Sequence, residues 1–251
     1  MHNLVIDIGN TNSKLAVFNG RTLVNYQSHK QITPAVLDDL IKEYHIVNST
    51  SSSVGEALDE TVEILRTTTN YVPFSTSIGK GIKNNYKTPA TLGLDRWAKV
   101  IASHFYYPKR NCFIIDAGTC ITYDLLRAES EYEGGSISLG IHMRFDALNH
   151  FTRRLPHIQW DKSEDGAEVG TDTISAIKSG VLFGIRNEIE GFIAHQNKKN
   201  KELVVLITGG DAAFLSEQLK NSIFAPQIIH DPYLVLKGLN EVIAFEYVQK
   251  N

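Results

Sequence analysis

The sequence predicts an α/β protein, and three observations carry that prediction. Segments with the two-residue period of a strand alternate along the chain with segments that have the apolar spacing of a helix. A strand–turn–strand unit at the start of the chain occurs a second time near its middle. In addition, 251 residues with 42% hydrophobic and 21% charged side chains can bury a core in one large domain or two modest ones.

The individual elements follow from these periods. Strands are expected to begin near residues 4, 14, 21, 45, 71, 113, 122 and 202. Helices are expected from residues 33, 54, 94, 172 and 233, with a further helix after the turn at Gly209 and Gly210. Pro34 supports the first of these helices, because proline is tolerated in the first helical turn.

The repeat aligns the segment LVIDIGNTNSK with the segment FIIDAGTCITY, position for position. It places Asp7 over Asp116 and, beyond the turn, Ser13 over Thr122. A duplicated unit of this length indicates two similar halves rather than a solenoid. We therefore expect two domains, residues 1–108 and residues 109–251.

Each copy of the repeat places an acid inside an otherwise apolar strand. A carboxylate is costly to bury unpaired, so Asp7 and Asp116 are expected either to cap their own turns or to face a cleft. Because the acid occurs twice in register, we favour the cleft. Glycines in such turns let backbone N–H groups approach a polyphosphate, threonine and asparagine add donors, and the acids would hold neutralising cations.

The segment GLDRW places Asp95 and Arg96 in the first turn of a predicted helix. The helix N-terminus and the neighbouring positive charge both favour an ionised carboxylate. Asp95 is therefore a candidate base for a substrate hydroxyl, and Arg96 is a candidate partner for a substrate anion. On spacing alone, however, the favoured interpretation is an acid placed for the helix dipole and an arginine in a surface ion pair.

Other motifs leave two interpretations open. TGGDA, from Thr208, is either a tight strand-to-helix turn or a place where the backbone passes a flat ligand such as adenine. Gly180 and Gly184, one turn apart on the long helix, suit either packing on the sheet or a subunit interface. Neither a P-loop nor a dinucleotide-binding fingerprint occurs in the sequence.

The composition narrows the class of protein. A formal net charge of −3 gives no electrostatic reason to expect nucleic acid or an anionic membrane as a partner. Cys112 and Cys120 lack the spacing of a zinc site or a disulfide framework and are expected to be reduced thiols. No apolar run approaches the ~20 residues that span a bilayer. Since the first strand also begins too close to Met1 for a signal peptide, we expect a cytoplasmic protein.

Five motifs occur in order across nearly the whole chain: DIGNTNSK, GLDR, DAGTCITYD, GGSISLG and TGGD. As a set they resemble the type III pantothenate kinases, which are members of the actin, sugar kinase and Hsp70 superfamily. The resemblance implies two duplicated ribonuclease-H-like domains with a central cleft that binds ATP. It also implies a homodimer that phosphorylates the 4′-hydroxyl of pantothenate, the first step of coenzyme A biosynthesis.

The resemblance further assigns roles to individual residues. Asp95 would be the general base, Asp7 would serve Mg²⁺, and Asp116 would hold the monovalent cation, K⁺ or NH₄⁺, that the family requires. The residues that would bind ATP are Asp7, Ile8, Gly9, Asn10, Thr11, Asn12, Ser13, Lys14 and Thr119. The residues that would contact pantothenate are Tyr86, Gly93, Leu94, Asp95, Arg96 and Thr173, with Thr171 a less close match than Thr173.

One motif departs from the family pattern. The family usually has Pro-Gly after GGxI, where this chain has Leu139 and Gly140. The glycine that permits the turn is kept and the stiffening proline is lost. The departure therefore bears on the geometry of this loop, whereas the acids are all present.

Two other functions have to be distinguished from the kinase that the motifs suggest. A sugar kinase of the same superfamily would share both Asp-x-Gly turns but has no reason to carry GLDRW with Tyr86 upstream. A nucleotide sensor without catalysis would need no base, and the presence of Asp7, Asp95 and Asp116 argues against it. An assay of ADP release with and without pantothenate separates the three.

Overall fold

A computed structural model of the chain describes residues 1–9, 11–53, 59–79, 81–162, 164, 166–200 and 202–249. Packing divides the chain into two compact units. Unit 1 consists of Met1–Lys109, Glu129–Glu133 and Tyr233–Asn251, and unit 2 consists of Arg110–Ala128 and Gly134–Pro232. The C-terminal segment thus packs with the N-terminal part of the chain. The boundary between residues 108 and 109 stays a prediction about domains.

Strands and helices alternate along the chain, as the sequence predicts. The strands are β1 (His2–Ile8), β2 (Ser13–Asn19), β3 (Thr22–His29), β4 (Ile46–Ser53), β5 (Asn70–Pro73), β6 (Lys83–Asn84), β7 (Cys112–Ala117), β8 (Cys120–Leu126), β9 (Glu131–Leu139), β10 (Val204–Thr208) and β11 (Ile228–His230). The helices are α1 (Pro34–Tyr44), α2 (Asp59–Thr68), α3 (Leu94–Tyr106), α4 (Ile141–His150), α5 (Thr173–Asn197), α6 (Ala212–Gln218) and α7 (Leu234–Gln249), with short 3₁₀ turns at Pro89–Thr91 and Ala225–Gln227.

Unit 1 is built on a five-stranded sheet with the strand order β3-β2-β1-β4-β5. At its centre, β1 is antiparallel to β2 and parallel to β4. Because side chains alternate along a strand, Leu4 and Ile6 share one face, where they join a buried cluster with Leu37 of α1 and Leu65 of α2. Asp7 lies on the opposite face, on which α7 packs together with α3.

Unit 2 is built on strands in the order β11-β10-β7-β8-β9. The sheet is mixed, since β7 is antiparallel to β8 and parallel to β10. Phe113 and Ile115 of β7 belong to a buried cluster with Ile185 and Ile189 of α5. By alternation, Asp116 is on the other face, one residue from the end of its strand. The first residues of β9 belong to unit 1, where they pair with β6.

Besides the short strands β6 and β11, the structure adds β9 and α4 to the elements that the sequence predicts. A Cβ at Gly135 of β9 would lie 1.6 Å from the carbonyl oxygen of Tyr123, so glycine is needed for close strand approach, although glycines hide a strand pattern. At the start of α4, Gly140 supplies no side-chain cap, and only Ile141 and Phe145 of this helix are buried. Both elements therefore lack the usual sequence signals.

The helix expected from residue 54 is described from Asp59, and residues 54–58 lie outside the described part of the chain. Both cysteines are free thiols, as predicted. Burial raises the pKa of Cys112 to about 12, so this thiol is protonated at neutral pH. Over the described residues, every helix is too short or too polar to cross a bilayer.

Counted between the last paired residues, the turn of the first hairpin has four residues, 9–12, and that of the second has three, 118–120. Asp7 is therefore paired with Lys14, whereas Asp116 is paired with Thr122. The alignment of Ser13 with Thr122 is wrong by one position. An alignment without a gap cannot represent the shorter second turn.

Helices α3 and α7 touch backbone to backbone. A Cβ at Gly238 of α7 would lie 1.8 Å from the carbonyl oxygen of Ala98 in α3. On α5, by contrast, a Cβ at Gly180, Gly184 or Gly191 would meet nothing within 4 Å. Gly180 and Gly184 are therefore not needed for close packing on the sheet of unit 2 among the described residues.

The contact at Gly238 leads to a test of stability. Replacing Gly238 with alanine should lower the free energy of unfolding by about 1–3 kcal/mol, because α7 must move away from α3. Chemical denaturation would measure the loss. As a matched control, Gly191→Ala at an exposed position of α5 should be neutral or gain about 0.5–1 kcal/mol from helix propensity. A Gly238→Ala variant as stable as the wild type would contradict the close approach.

Candidate functional site

Asp7 lies near the end of β1 with its carboxylate largely buried. The residue is 9% exposed, and Ser52 Oγ donates a hydrogen bond of 2.7 Å to Asp7 Oδ1. Burial raises the pKa of Asp7 above its ordinary value, and the negative charge of Asp95 acts in the same direction. The Ser52 hydroxyl and the charges of Lys14 and Lys99 only partly offset this rise in pKa. A cation would stabilise such a carboxylate, because positive charge favours its ionised form.

The turn after Asp7 carries the predicted phosphate-binding residues. The N–H of Gly9 donates a hydrogen bond of 3.2 Å to the carbonyl of Asn12, which closes a tight turn. Thr11 and Asn12 are exposed at its tip. Asn10 lies outside the described residues. The rest of the predicted set on this hairpin is Ile8, Ser13 and Lys14.

Asp95 lies in the first turn of α3, where Gly93 leaves space for its carboxylate and Lys99 binds it. A Cβ at Gly93 would lie 2.6 Å from Asp95 Oδ1, so the glycine leaves room for the carboxylate beside the helix N-terminus. The other oxygen, Oδ2, accepts a hydrogen bond of 3.0 Å from Nζ of Lys99. The Asp95 side chain is 33% exposed and that of Lys99 is 0% exposed.

The pKa of Asp95 is lowered, although its partial burial acts to raise it. The charge and hydrogen bond of Lys99, followed by the backbone N–H and charge of Arg96, outweigh burial. Asp95 is therefore ionised at neutral pH, as a proton acceptor must be. Sequence analysis missed Lys99, although four residues is the spacing at which helical side chains meet.

The two predicted acids of unit 1 share one face of its sheet. Burial raises the pKa of Asp7, and the negative charge of Asp95 adds to this rise, as is expected for carboxylates on the same face. Strand alternation and the position of α3 bring them together, since Asp7 lies on the face that α3 and α7 cover.

Tyr86 and Arg96, both predicted to contact substrate, lie against each other. The guanidinium carbon of Arg96 is 5.5 Å from the centroid of the Tyr86 ring. Tyr86 stacks on Tyr132 with centroids 6.2 Å apart, and Trp97 packs at 5.8 Å on Tyr132. Sequence analysis missed Tyr132, because β9, which carries it, had no recognisable strand pattern, and it gave no role to Trp97 of the GLDRW segment. Leu94, the remaining predicted residue of this segment, begins α3.

Three predicted loops of unit 2 meet near the end of β7. Asp116 Oδ1 would lie 2.4 Å from a Cβ at Gly209, whose φ of 101° also requires glycine. The TGGD segment is therefore a tight turn that passes beside the carboxylate. A Cβ at Gly140 would lie 2.3 Å from the carbonyl oxygen of Thr119, which accepts a 3.1 Å hydrogen bond from the Gly140 N–H.

Thr122 offers a second oxygen beside Asp116. Paired residues of an antiparallel ladder point to the same face, and Thr122 Oγ1 is buried with no hydrogen-bond partner. An orphaned oxygen next to a carboxylate fits a cation. Among the residues that the structure describes, no group of three or more His, Cys, Asp or Glu side chains could hold a metal ion. A cation at Asp7 or Asp116 would therefore need other oxygen ligands, which Mg²⁺ commonly takes from phosphate and water.

The loop at Leu139, where the resemblance leads one to expect a proline, is held by Arg144 instead. Nε of Arg144 donates to the Leu139 carbonyl at 2.9 Å, and its Nη2 donates to Ser138 Oγ at 3.0 Å and Glu188 Oε2 at 2.6 Å. Glu188 also accepts a 2.7 Å bond from the hydroxyl of Tyr123. Burial acts to raise the pKa of Glu188, but these two hydrogen bonds outweigh it and lower that pKa.

Thr173 lies in unit 2 and is exposed at the first turn of α5. Asp172 caps that turn by accepting bonds of 2.9 Å and 3.0 Å from the N–H groups of Ile174 and Ser175. A well-capped helix start fixes the position of Thr173 but leaves its side chain accessible. Its predicted contact with substrate stays a prediction.

Comparison with known proteins shows extensive similarity. A family model described as type III pantothenate kinase matches residues 3–195. The type III pantothenate kinase of Phocaeicola vulgatus is 39% identical over 245 residues, which cover 97% of this chain and 98% of that protein.

Solved structures are similar at lower identity. One is a Campylobacter jejuni protein assigned provisionally to the Baf family of transcriptional activators, with 22% identity, a TM-score of 0.62 and coverage of 98% of this chain and 99% of that one. Another is the activator of the 2-hydroxyisocaproyl-CoA dehydratase from Clostridium difficile with bound ADPNP, with 14% identity, a TM-score of 0.55 and coverage of 100% and 96%. These likenesses and the two mixed sheets confirm an α/β fold of two duplicated ribonuclease-H-like domains.

The buried carboxylate of Asp7 should cost stability. Because burial raises its pKa in the folded state, the stability linked to this group is complete below its ordinary pKa of 3.8 and is lost as the pH rises through the folded value. Asp7→Asn should therefore raise the free energy of unfolding at pH 7.5 by on the order of 1 kcal/mol, with a smaller gain towards pH 4.

Urea unfolding at several pH values measures this gain. Asp39→Asn on α1 is the control, because it removes an exposed carboxylate and should change stability by less than about 0.5 kcal/mol. If Asp7→Asn is less stable than the wild type at pH 7.5, burial does not dominate the surroundings of this carboxylate.

Proposed function

Because this chain belongs to the type III pantothenate kinase family, and so catalyses pantothenate phosphorylation in coenzyme A biosynthesis, we propose that Asp95 is the general base of that reaction. The 4′-hydroxyl of pantothenate attacks the γ-phosphorus of ATP, its proton passes to the Asp95 carboxylate, and ADP leaves. The observation that carries this proposal is an ionised, partly exposed carboxylate at a helix N-terminus, beside the Tyr86–Arg96 pair.

The low pKa of Asp95 is compatible with this role. Phosphoryl transfer passes through a loose transition state, so the hydroxyl needs little activation before the phosphorus–oxygen bond forms. A carboxylate that is ionised at every working pH can orient the hydroxyl and accept its proton late. Asp95 meets this requirement because Lys99 and the backbone N–H of Arg96 hold it ionised.

The hairpin at Asp7 is the proposed phosphate site of unit 1. Its tight turn exposes Thr11 and Asn12, and Lys14 is paired with Asp7 across the ladder. Asp7 is the proposed partner of Mg²⁺, whose charge neutralises the phosphates when it is bound. In unit 2, Thr119 is the proposed further contact with ATP, supported by its place on the loop beside Asp116.

Arg96 is the proposed partner of the pantothenate carboxylate. Its planar guanidinium suits bidentate binding of a carboxylate, and Tyr86 holds it from one side. Gly93 and Leu94 would line the same pocket at the start of α3, and Thr173 is the proposed contact from α5.

Asp116 is the proposed ligand of an activating monovalent cation, K⁺ or NH₄⁺. The buried, unpartnered Oγ1 of Thr122 on the same face supports this proposal. We further propose a cytoplasmic homodimer. The space around Gly180 and Gly184 on α5 is open, which is compatible with a second copy of the chain packing there.

Changing Asp95 to asparagine should reduce pantothenate-dependent turnover at least about 100-fold, since the proton acceptor is lost. Binding of ATP, measured by calorimetry, should persist because the hairpin at Asp7 is untouched. A coupled assay of ADP release measures turnover, with Asp39→Asn as the control.

If Asp95→Asn fails to fold because Lys99 is left buried without its carboxylate, the double change with Lys99→Met keeps the test available. Full turnover in a folded Asp95→Asn enzyme would refute the base assignment. ADP release with a sugar but not with pantothenate would point to the sugar kinase alternative.

Turnover should collapse in buffer that contains Na⁺ as its only monovalent cation and recover on addition of K⁺ or NH₄⁺. Asp116→Asn should weaken this dependence on K⁺, because the carboxylate that neutralises the ion is lost. Titration of K⁺ into the ADP-release assay measures both effects. Full activity in Na⁺ alone would remove Asp116 from this role.

A further inference from the structure

The side chain of Lys99 is a fully buried cation on the helix that carries the proposed base. It is 0% exposed, whereas both partners of the surface pair Lys220–Glu217 are more than half exposed. Removing an ammonium from water costs several kcal/mol unless it is paired and hydrogen-bonded. Such a group in α3, among buried Ala98 and Val100, requires a reason beyond packing.

Helix geometry explains how Lys99 reaches Asp95. Side chains on a helix lean towards its N-terminus, so a long residue meets the residue four positions earlier. The Nζ of Lys99 therefore lies one turn back, 3.0 Å from Asp95 Oδ2. An aspartate four residues before a lysine is also the order that the helix dipole favours.

Lys99 acts mainly on Asp95. Against the burial of that carboxylate, the charge and hydrogen bond of Lys99 lower its pKa, whereas the pKa of Asp7 stays raised by burial although Lys99 acts to lower it. The contact with Asp95 is formed by the chain itself and is therefore present before any substrate binds.

We propose that Lys99 is a positioning residue for phosphoryl transfer, which holds the Asp95 carboxylate in one orientation through a buried, hydrogen-bonded ion pair. This inference rests on the proposed role of Asp95 as base. In this role, Lys99 fixes the Asp95 carboxylate before substrate or cation binds, so the orientation of the carboxylate does not depend on either.

The other charged groups of the surrounding elements make different contacts. On α3 itself, Arg96 contacts Tyr86. Lys14, from β2, lies opposite Asp7 in the strand ladder, and its charge opposes the burial that raises the pKa of Asp7. The charged side chains of α7 that the structure describes are Glu241 and Lys237. Glu241 forms an ion pair with Arg21. Lys237 Nζ lies 5.2 Å from the ring centroid of Tyr106, in the last turn of α3. Strand β4 carries no titratable residue.

The test is the pH profile of kcat/KM for pantothenate in Lys99→Met, which keeps most of the length of the side chain and removes its charge. The acid limb should move to higher pH by about one unit or more, because an opposite charge within hydrogen-bond distance is lost. At neutral pH, kcat should fall while KM for pantothenate stays nearly constant, since Lys99 acts through Asp95. Lys99→Arg should restore part of both.

Controls separate this inference from the proposed function. Lys42→Met on α1 removes an exposed lysine of unit 1 and should leave the profile unchanged. If Lys99→Met does not fold, Lys99→Gln replaces it, because its amide can still donate to Asp95 while the charge is gone, and its acid limb should shift in the same way. The role of Lys99 is overturned if the folded Lys99→Met or Lys99→Gln variant has an unshifted pH profile and an unchanged kcat. If Asp95→Asn is inactive in the same assay, the base assignment stays intact. An active Asp95→Asn overturns both.

Discussion

The buried ammonium of Lys99 forms an ion pair with Asp95 on the face of the unit 1 sheet that also carries Asp7. β1 delivers Asp7 to that face because side chains alternate along a strand, and α3 delivers Asp95 because the helix begins there. Burial acts to raise the pKa of both acids, and only Asp95 has an ion pair strong enough to reverse the effect. The difference suits the two proposed roles, because a general base must be ionised before substrate binds, whereas a metal ligand can lose its proton when the cation binds.

The duplicated hairpins show how a small change in a turn alters chemistry. One residue fewer in the second turn moves a different residue opposite the acid, so Asp7 is paired with Lys14 and Asp116 with Thr122. A lysine suits an anionic ligand, whereas a hydroxyl oxygen beside a carboxylate suits a cation. The same backbone unit can therefore serve two kinds of ligand without a change of fold.

Rigidity in the loops of unit 2 comes from close backbone contact and from one arginine. Gly140 and Gly209 bring their segments within hydrogen-bonding distance of the backbone at residues 117–119. A side chain at either glycine would collide with neighbouring atoms. Arg144 binds the Leu139 carbonyl and Glu188 together, and so constrains the loop by hydrogen bonds where a proline would constrain it by its ring. Loss of the proline thus need not loosen the loop.

Local patterns in the sequence were sufficient for the α/β class and for most strands and helices, because period, capping and turn signals are properties of neighbouring residues. The same patterns singled out the acids Asp7, Asp95 and Asp116, whose roles stay proposals. They were insufficient for β9, where glycines mask the strand pattern. They were also insufficient for the strand pairing beyond each turn, because one residue more or less in the turn changes which residue lies opposite the acid. Only the tertiary structure decided that Lys99 is buried beside Asp95, that Tyr132 supports Tyr86, and that Thr122 lies opposite Asp116. Burial and ion pairing depend on which elements pack together, and that information is not carried by any single stretch of chain.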